Sequence, residues 1–551
     1  MGFRGSSTAA AAIACAALLA LPASAAADWP VYGHDLANSR NAGGDGPPAS
    51  HVGSLSRAWT FNAPLGDFTG TPAVAGGVVV AGTYDGSIYA LDAVAGKVLW
   101  SKHVDAPVNG SAAIDLGAPG GAAVYVAVAK LGAPRLMALS LSSGATRWET
   151  VLTSQANSSV YGSPVFWKGK LYIGTSGPNN DDARARGSLV ALDEGTGKVK
   201  WQTFTVPPGA DGAAVWSTPA IDVATGRLYV GTGNNYHAPT TDMEDSILAM
   251  DAATGQILGH YQATNGDSFS AVDNPTGGPD YDFGASPNLF DGPNGRRLVG
   301  EGQKSGTYWA LDRATMQPVW NTTIGPGGVL GGILGSTAYD GTRIYGGDTA
   351  DGQVFALGRD GSEAWQSVDS GGLHLGAATI ANGVLYTTDP NGALNARDPA
   401  TGLILAKIPL DRPSVGGISA AGGALFVAVG TGPLPEPAPQ ADNPGSIIAF
   451  GDPSNAGPGA KPGPRHARLR LSVTPRRVRA NRLVRLRFRA TRAARPVAHV
   501  TIRLGRLRVH TKRDGRAAMR IRFARLGVHV ARAGRRGSAG TRARIRVTRG
   551  T

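Results

Sequence analysis

A tryptophan and an asparagine stand at the two ends of the segment WSTPAIDVATGRLYVGTGN, residues 216–234. Between them, two strand-like runs are joined by a tight turn at residues 224–226, and a glycine-flanked polar tip follows at residues 231–234. A side chain that enters one strand and a side chain that leaves the next can project from one end of a small sheet. A flat ligand and an ion could be held together at that end, so the segment has the geometry of a site but does not by itself establish one.

One phrase recurs along the chain: a strand ending in Ala, a Gly six residues after that Ala, and a Trp ten residues after it. It reads YALDAVAGKVLW at residues 89–100 and VALDEGTGKVKW at residues 190–201. Four short strands in about 40 to 60 residues are typical of a propeller blade. The sequence therefore predicts an all-β protein with an eight-bladed β-propeller. The Ala is present in all eight copies, at Ala90, Ala138, Ala191, Ala249, Ala310, Ala356, Ala396 and Ala449.

The physics of stacked blades assigns roles to the residues of this phrase. A four-stranded sheet cannot bury both faces alone, so we expect a small Ala near the hub and a Trp at the rim that covers the seam between blades. The segment at residues 55–62 is expected to add a strand to the last blade and so close the ring. The rim tryptophans are then structural: Trp100, Trp148, Trp201, Trp320 and Trp365.

The net charge of +14 divides into two opposite parts. From residue 465 onward there are 28 Lys and Arg and one acid, Asp514, a charge of +27 that leaves −13 for the rest of the chain. Arginine and apolar residues alternate in this basic part, as in RLRLSV and RLRFRA, which is typical of half-buried strands. The sequence predicts a propeller at residues 28–452, a Pro/Gly-rich linker at 453–465, and a small basic immunoglobulin-like β-sandwich at 466–551.

The N-terminus has the composition of an export signal. Arg4 precedes an apolar run at residues 9–21, and small residues follow up to Ala27. We expect a signal peptide at residues 1–27 and a secreted protein, or one in the periplasm or cell envelope. The single cysteine, Cys15, lies inside this segment, so the exported chain would have no disulfide, thiolate metal site or Cys-x-x-Cys-His haem attachment.

The blade phrase and the opening DWPVYGHDLANSRNAG at residues 28–43 resemble the eight-bladed quinoprotein dehydrogenases and their non-catalytic, PQQ-binding-like relatives. The resemblance extends over about residues 28–452 and implies blades that dock through a Trp and a Gly. It also implies pyrroloquinoline quinone (PQQ), stacked on a Trp over the hub, and a calcium ion that bridges quinone and protein oxygens. Trp216 matches the stacking residue and Asn234 an amide-oxygen calcium ligand, although Trp216 could instead be one more seam residue.

Two further segments resemble parts of the family that take part in the reaction. DYDFGASPNL, at residues 280–289, resembles the DxDxxAxPxL run of membrane-type quinoprotein glucose dehydrogenases. This implies that Asp280 accepts the proton of the substrate hydroxyl beside the calcium ion, with Asp282 as the alternative. QKSGTYWALDR, at residues 303–313, resembles the strand whose basic residue touches the quinone oxygens, which implies that Lys304 polarises the cofactor. The competing interpretation of the acidic pair is a solvated turn.

The chain departs from the family pattern at the acidic calcium ligand. SGPNNDDARARG, at residues 176–187, offers Asp181 or Asp182, and Asp182 matches when spaced back from Arg186. The disulfide of several alcohol-oxidising members is missing, and without a haem motif the electrons must pass to a separate acceptor.

These observations leave two functions open. The first is a quinone-dependent oxidation of an alcohol, polyol or sugar hydroxyl. The second is a non-catalytic propeller that binds proteins or glycans at the envelope.

The basic domain predicts a partner of its own. Arginine on the outer face of the sandwich suits an anionic cell-wall polymer or lipid headgroups. Nucleic acid is not expected, because the aromatic residues of this part, Phe488 and Phe523, are at inward phases and cannot stack on bases. The competing interpretation is a compositional Arg bias without a ligand.

Overall fold

The computed structural model describes residues 28–177, 184–368, 374–389, 391–430, 443–452, 470–492, 495–496, 498–504, 507–514, 516–524, 526–535 and 538–548. The chain divides into two compact units, one up to Lys461 and one from Pro462. The proposed signal peptide and linker lie outside the described residues. Within those residues, no helix has the length and apolar character to cross a membrane.

The first unit is a ring of eight four-stranded antiparallel sheets, which confirms the eight-bladed propeller. The first strand of the chain is β1 (Arg57–Asn62), and short 3₁₀ helices lie at Ala49–Ser54 and Pro293–Gly295.

Blade 1 contains β2 (Ala73–Ala75), β3 (Val78–Gly82), β4 (Ser87–Asp92) and β5 (Val98–His103). Blade 2 contains β6 (Ala113–Asp115), β7 (Ala123–Val128), β8 (Arg135–Ser140) and β9 (Thr146–Val151). Blade 3 contains β10 (Val165–Trp167), β11 (Lys170–Thr175), β12 (Ser188–Asp193) and β13 (Val199–Phe204). Blade 4 contains β14 (Ala220–Asp222), β15 (Arg227–Gly231), β16 (Ser246–Asp251) and β17 (Ile257–Gln262).

The second half of the ring follows the same pattern. Blade 5 contains β18 (Asn288–Asp291), β19 (Arg297–Gly302), β20 (Thr307–Asp312) and β21 (Pro318–Thr323). Blade 6 contains β22 (Ala338–Tyr339), β23 (Arg343–Gly347), β24 (Gln353–Gly358) and β25 (Glu363–Val368). Blade 7 contains β26 (Thr379–Ala381), β27 (Val384–Asp389), β28 (Ala393–Arg397) and β29 (Ile404–Pro409). Blade 8 contains β30 (Ile418–Ala421), β31 (Ala424–Val429) and β32 (Ser446–Gly451), and it takes β1 as its outer strand.

The burial of the strands follows their place in each blade. The second strand is covered on both faces by neighbouring blades, so β7 reads as the fully buried apolar run AVYVAV. The outer strand β9 has solvent on one side and alternates between exposed and partly buried residues. The predicted closure is confirmed, because β1 pairs with β32 in an antiparallel register that sets Trp59 opposite Ala449.

In six of the eight blades, a rim tryptophan contacts the next blade, as predicted. The indole Nε1 of Trp100 donates to the carbonyl of Leu141 in blade 2, 2.6 Å away. Its ring lies on Gly144, where an added Cβ would come within 2.6 Å of the ring. The same Trp-on-Gly contact recurs at Trp59–Gly96, Trp148–Gly197, Trp201–Gly255, Trp320–Gly361 and Trp365–Gly402.

The position predicted for the conserved Ala of the phrase is wrong. Ala90 lies on β4, the third strand of its blade, directly opposite Trp100 on the outer strand. The hub is instead lined by the first strands, which contact one another around the ring. A small residue is needed one strand inside the rim because the large indole ring sits beside it on the neighbouring strand.

The segment at residues 28–46 runs along the first strands and joins most of the blades. Its carbonyls accept hydrogen bonds from the backbone N–H groups of blades 1, 2, 4, 5, 6 and 7. Arg40, which is fully buried, donates from Nε to the carbonyl of Ala378 and from Nη2 to the carbonyl of Ile418, at 2.7 and 3.2 Å. Burial lowers the pKa of Arg40 to about 10, and its guanidinium lies 4.8 Å from the ring centroid of Tyr32.

We expect Arg40→Met to reduce the free energy of unfolding by about 3 kcal/mol, because several buried carbonyls would lose a charged donor. Thermal and urea denaturation of the full chain measure this change. Arg57→Met is the matched control, since Arg57 forms a partly exposed pair with Asp411 and its loss should cost less than about 1 kcal/mol. Equal stabilities of the two variants would contradict the role assigned to Arg40.

The second unit consists of two sheets around one core. One sheet contains β33 (Arg470–Thr474), β35 (Leu483–Arg492), β36 (Arg495–Pro496) and β39 (Arg516–Arg522). The other contains β34 (Arg477–Arg479), β37 (Thr501–Leu504), β38 (Leu507–His510), β40 (Gly527–Arg535) and β41 (Ser538–Thr548). Phe488 and Phe523 are buried in the shared core, at the inward phases expected. The immunoglobulin-like character of this sandwich stays a prediction.

Candidate active site

The predicted site residues lie on loops at one end of blades 4 and 5. Trp216 lies between β13 and β14, Asn234 between β15 and β16, Asp280 between β17 and β18, and Lys304 between β19 and β20. In an antiparallel blade, the connection from the second to the third strand and the connection to the next blade leave from the same end. The topology therefore places all four residues at one mouth of the ring.

Lys304 is the centre of this group. Its Nζ lies 2.9 Å from Oδ1 of Asp280 and 2.9 Å from Oδ2 of Asp282. The Lys304 side chain is 11% exposed and the Asp280 side chain 2%. Burial alone would lower the pKa of Lys304, but the charges of Asp282 and Asp280 outweigh it and the net shift is upward. Lys304 is therefore a fixed ammonium shared by two carboxylates.

Asn234 joins the group through Asp282. The backbone N–H of Asn234 donates to Oδ1 of Asp282 at 2.8 Å. The side-chain nitrogen of Asn234 donates to the carbonyls of Asn235 and Phe269, at 2.9 and 2.6 Å, which fixes the orientation of the amide. The amide oxygen therefore points away from these two carbonyls. Asp282, the alternative base in the sequence, has a structural role through this contact.

Trp216 is positioned by contacts on both sides of its loop. The hydroxyl of Ser217 accepts the backbone N–H of Gly231 at 3.1 Å, which fixes the loop to β15. The half-buried indole lies on Gly284, where an added Cβ would be 1.9 Å from the ring. Nζ of Lys304 lies 5.7 Å from the ring centroid. The aromatic residue and the buried cation are therefore neighbours.

Further acids lie behind this group. Asp245 is fully buried, and its carboxyl oxygens accept no hydrogen bond from the residues described. Its pKa is raised well above the ordinary value, first by burial and then by the charges of Asp282, Asp267 and Glu244. Burial and these neighbouring acids therefore favour the protonated form of Asp245. The ammonium of Lys304 and the carboxylates of Asp280 and Asp282 form the ion-paired part of the site.

The acidic calcium ligand predicted at Asp182, with Asp181 as its alternative, lies outside the described residues. Among the residues that are described, no three His, Cys, Asp or Glu side chains are grouped as a metal site would require. The two other predicted ligands, Asn234 and Asp280, are described, and the roles assigned to them stay predictions.

The sequence did not predict three features of this region. The two ion pairs of Lys304, with Asp280 and Asp282, join a loop of blade 5 to the connection between blades 4 and 5, and no spacing rule indicates them. The burial of Asp245 could not be predicted from the sequence, because a Glu-Asp pair before a strand is typical of an exposed polar turn. A histidine at residue 237 faces two carboxylates, and only the order NNYH after the glycine-flanked tip could have drawn attention to it.

Comparison with known proteins agrees with this fold. The family described as outer membrane protein assembly factor BamB (PQQ_2) matches residues 52–258 and 244–430. A polyvinylalcohol dehydrogenase of Sphingopyxis sp. (strain 113P3) is 28% identical over 74% of this chain and 71% of its own length. A polyvinylalcohol dehydrogenase of Pseudomonas sp. is 31% identical over 61% of this chain, which spans 58% of that relative. The quinohemoprotein alcohol dehydrogenase of Comamonas testosteroni superposes with a TM-score of 0.66 at 21% identity, over 81% of this chain and 82% of that one.

The eight four-stranded sheets define an eight-bladed propeller with the fold of the quinohemoprotein alcohol dehydrogenase. The chain belongs to the PQQ_2 family, whose profile covers more than half of it. The resemblance stated from the blade phrase is thereby confirmed.

Proposed function

We propose that the chain is an exported quinoprotein oxidoreductase that oxidises the hydroxyl of an alcohol, polyol or sugar with PQQ and calcium. The observation that carries the proposal is the buried Lys304 ammonium, bonded to Asp280 and Asp282 and adjacent to Trp216. A purely structural turn does not require a buried lysine between two carboxylates. The names of the dehydrogenase relatives support the same reaction class.

The residues present fit PQQ. The cofactor is a flat, polyanionic quinone, and the half-buried indole of Trp216 offers it an aromatic surface. Gly284 supports that indole without a side chain of its own. Lys304 offers an ammonium whose charge is maintained by its neighbours, so that it can bond to quinone oxygens. Trp216 and Lys304 would therefore hold the cofactor.

The charge of the site also fits a divalent cation. Two carboxylates share one ammonium, so one negative charge is left over within the described group. Calcium prefers carboxylate and amide oxygens, which Asp280 and Asn234 supply. Asp182 would be the third ligand.

The reaction assigned to the chain's own residues is a proton transfer. PQQ, when bound, supplies the two-electron acceptor for the alcohol. Asp280 accepts the hydroxyl proton at a carboxylate oxygen, and the ammonium 2.9 Å away favours the ionised form that can do so. Asp282 holds Lys304 and the Asn234 backbone in place. The electrons then pass to a separate acceptor.

Reconstitution tests this function. The purified chain is loaded with PQQ and calcium, and dye reduction is followed with primary alcohols, polyols, sugars and polyvinyl alcohol. We expect turnover that requires both additions. Quinone binding without turnover on any substrate, or no binding at all, would favour the non-catalytic scaffold. The family description, an outer membrane protein assembly factor, is the observation that favours this second function.

Export to the periplasm or envelope is part of the proposal. It rests on the signal-like residues 1–27, and sequencing of the mature N-terminus in the native host measures it. A start near residue 28 is expected. An intact Met1 would contradict export by this signal.

We propose that the basic sandwich binds an anionic wall polymer or lipid surface. Arg485, Arg487 and Arg489 are exposed along β35, and Arg520 and Arg516 stand opposite the first and last of them on β39. Alternate residues of a strand point to one face, so these guanidinium groups form a continuous cationic surface.

We expect the full chain to co-sediment with anionic vesicles or wall fragments at low salt and to be released above physiological salt, where screening acts within about 8 Å. The variant R485Q/R487Q/R489Q should bind more weakly, and a chain ended at residue 452 should not bind. Binding that is indifferent to surface charge or salt would leave compositional bias as the explanation of these arginines.

A further inference from the structure

His237 lies between two carboxylates, one at each ring nitrogen. Its Nδ1 is 2.9 Å from Oδ2 of Asp211, and its Nε2 is 3.1 Å from Oδ2 of Asp273. The backbone N–H of His237 also donates to Oδ1 of Asp211 at 3.1 Å. Among the described residues, Arg184 also faces this cluster, with Nη1 3.7 Å from Oδ2 of Asp211.

The three members of this cluster belong to three different loops. Asp211 lies on the loop between β13 and β14, which ends at Trp216. His237 lies between β15 and β16, three residues after Asn234. Asp273 lies between β17 and β18, on the loop that carries Asp280. The contacts of one imidazole therefore connect the loops of three of the four proposed site residues.

Neighbouring hydrogen bonds extend the same connection. The side-chain nitrogen of Asn235 donates to the carbonyl of Asp211, and its backbone N–H donates to the carbonyl of Asp267 at 3.2 Å. The loop that carries Asn234 is thus bonded to the loop before it and to the loop after it. His237 supplies the charged part of that connection.

The two contacts of the ring require two donors. A carboxylate only accepts hydrogen bonds, so both contacts are hydrogen bonds when both ring nitrogens carry a proton. A neutral ring would turn a lone pair toward one carboxylate. The side chains of His237 and Asp211 are 15% and 8% exposed, so water screens their attraction only in part.

We propose that His237 is a positioning residue whose imidazolium clasps the three loops that carry Trp216, Asn234 and Asp280. The importance of those three residues rests on the proposed function, but the clasp itself is a property of the loops. Among the described residues, Asp211 and Asp273 are the charged groups that face the ring, and Arg184 faces Asp211.

Hydrogen exchange of the full chain without PQQ tests the clasp directly. In His237→Gln, we expect amide exchange at residues 205–215, 232–245 and 263–279 to be about tenfold faster than in the unmodified chain. His103→Gln is the matched control, because His103 faces Asp85 at 3.9 Å on blade 1, which carries none of the proposed site residues. Unchanged exchange in the three loops would overturn the proposal.

Two further variants distinguish the clasp from a general structural role. Asp273 is half exposed, so Asp273→Asn leaves the fold intact and should loosen residues 263–279 more than residues 205–215. His237→Arg, which can donate to both carboxylates, should restore slow exchange. Uniform loosening of the whole blade in either variant would contradict a clasp.

A PQQ titration separates the clasp from the proposed function. Failure of PQQ to bind would contradict the proposed function and leave the exchange result standing, whereas unchanged exchange in His237→Gln would overturn the clasp alone.

Discussion

Replacement of Asp280 by asparagine is expected to reduce alcohol-dependent dye reduction by about 10²- to 10⁴-fold while PQQ still binds. The amide keeps the size of the side chain and can still accept a hydrogen bond from Lys304, 2.9 Å away. It cannot take up the hydroxyl proton of the substrate. Steady-state turnover with the reconstituted chain, together with a PQQ titration by tryptophan fluorescence, measures the two effects separately.

Asp282→Asn is the matched control for this variant. Asp282 bonds to the same ammonium at the same distance of 2.9 Å but also accepts the N–H of Asn234. An amide oxygen can keep that second contact, so we expect weaker cofactor binding and a smaller loss of turnover than for Asp280→Asn. If the two variants lost turnover equally, the base would have to be reassigned. Equal loss of PQQ binding and turnover in Asp280→Asn would make Asp280 a ligand only.

Replacement of Lys304 by methionine is expected to lower the free energy of unfolding by about 3 to 5 kcal/mol and to abolish turnover. Methionine fills similar space but leaves Asp280 and Asp282 with no counter-charge from residue 304, although both are largely removed from water. Urea denaturation gives the stability change, and dye reduction gives the activity.

The pH dependence has a definite sign. The pKa of Lys304 is raised in the folded protein, so the stabilisation by its charge is fully present below its ordinary pKa of about 10 and is lost only as the pH rises through the higher folded value. Lys304→Met lacks this stabilisation at every pH. The difference in stability between the two proteins should therefore be constant through neutral pH and shrink only as the pH rises through the folded pKa of Lys304.

The triple variant D280N/D282N/K304M separates charge from chemistry. With the carboxylates neutralised, most of the stability lost in Lys304→Met should return, because no buried charge is left without a partner. Turnover should not return. A triple variant as unstable as Lys304→Met would show that packing of the lysine stem, not its charge, holds this end of blades 4 and 5.

The sequence by itself determined the propeller and its blade count. A blade is a local unit of about 50 residues, and the contacts that it makes with the next blade are repeated, so the Trp and Gly that form them recur in the sequence. The closing strand β1 was visible for the same reason, because Trp59 occupies the place of the other rim tryptophans. The alternating arginines likewise fixed which residues of β35 are buried.

The same local signal did not place the conserved Ala correctly. The ten-residue spacing between Ala and Trp reflects the pairing of two neighbouring strands, in which Ala90 lies opposite Trp100. The spacing does not determine the distance of that pair from the hub. The candidate site was predictable as a set of residue types only through resemblance. Trp216, Asn234, Asp280 and Lys304 are spread over 89 positions of the sequence, and no periodicity connects them.

Only the tertiary structure decided which charges meet. The partners of Arg40 lie up to 378 positions away, and Lys304 meets Asp280 across the seam of two blades. His237 finds Asp211 and Asp273 at separations of 26 and 36 residues because three successive loops converge at one mouth of the ring. The physical reason is that ring closure brings distant loops together in space. The energy of each buried charge depends on the groups that surround it in space. Those groups come from distant parts of the sequence and not from the residues next to it in the chain.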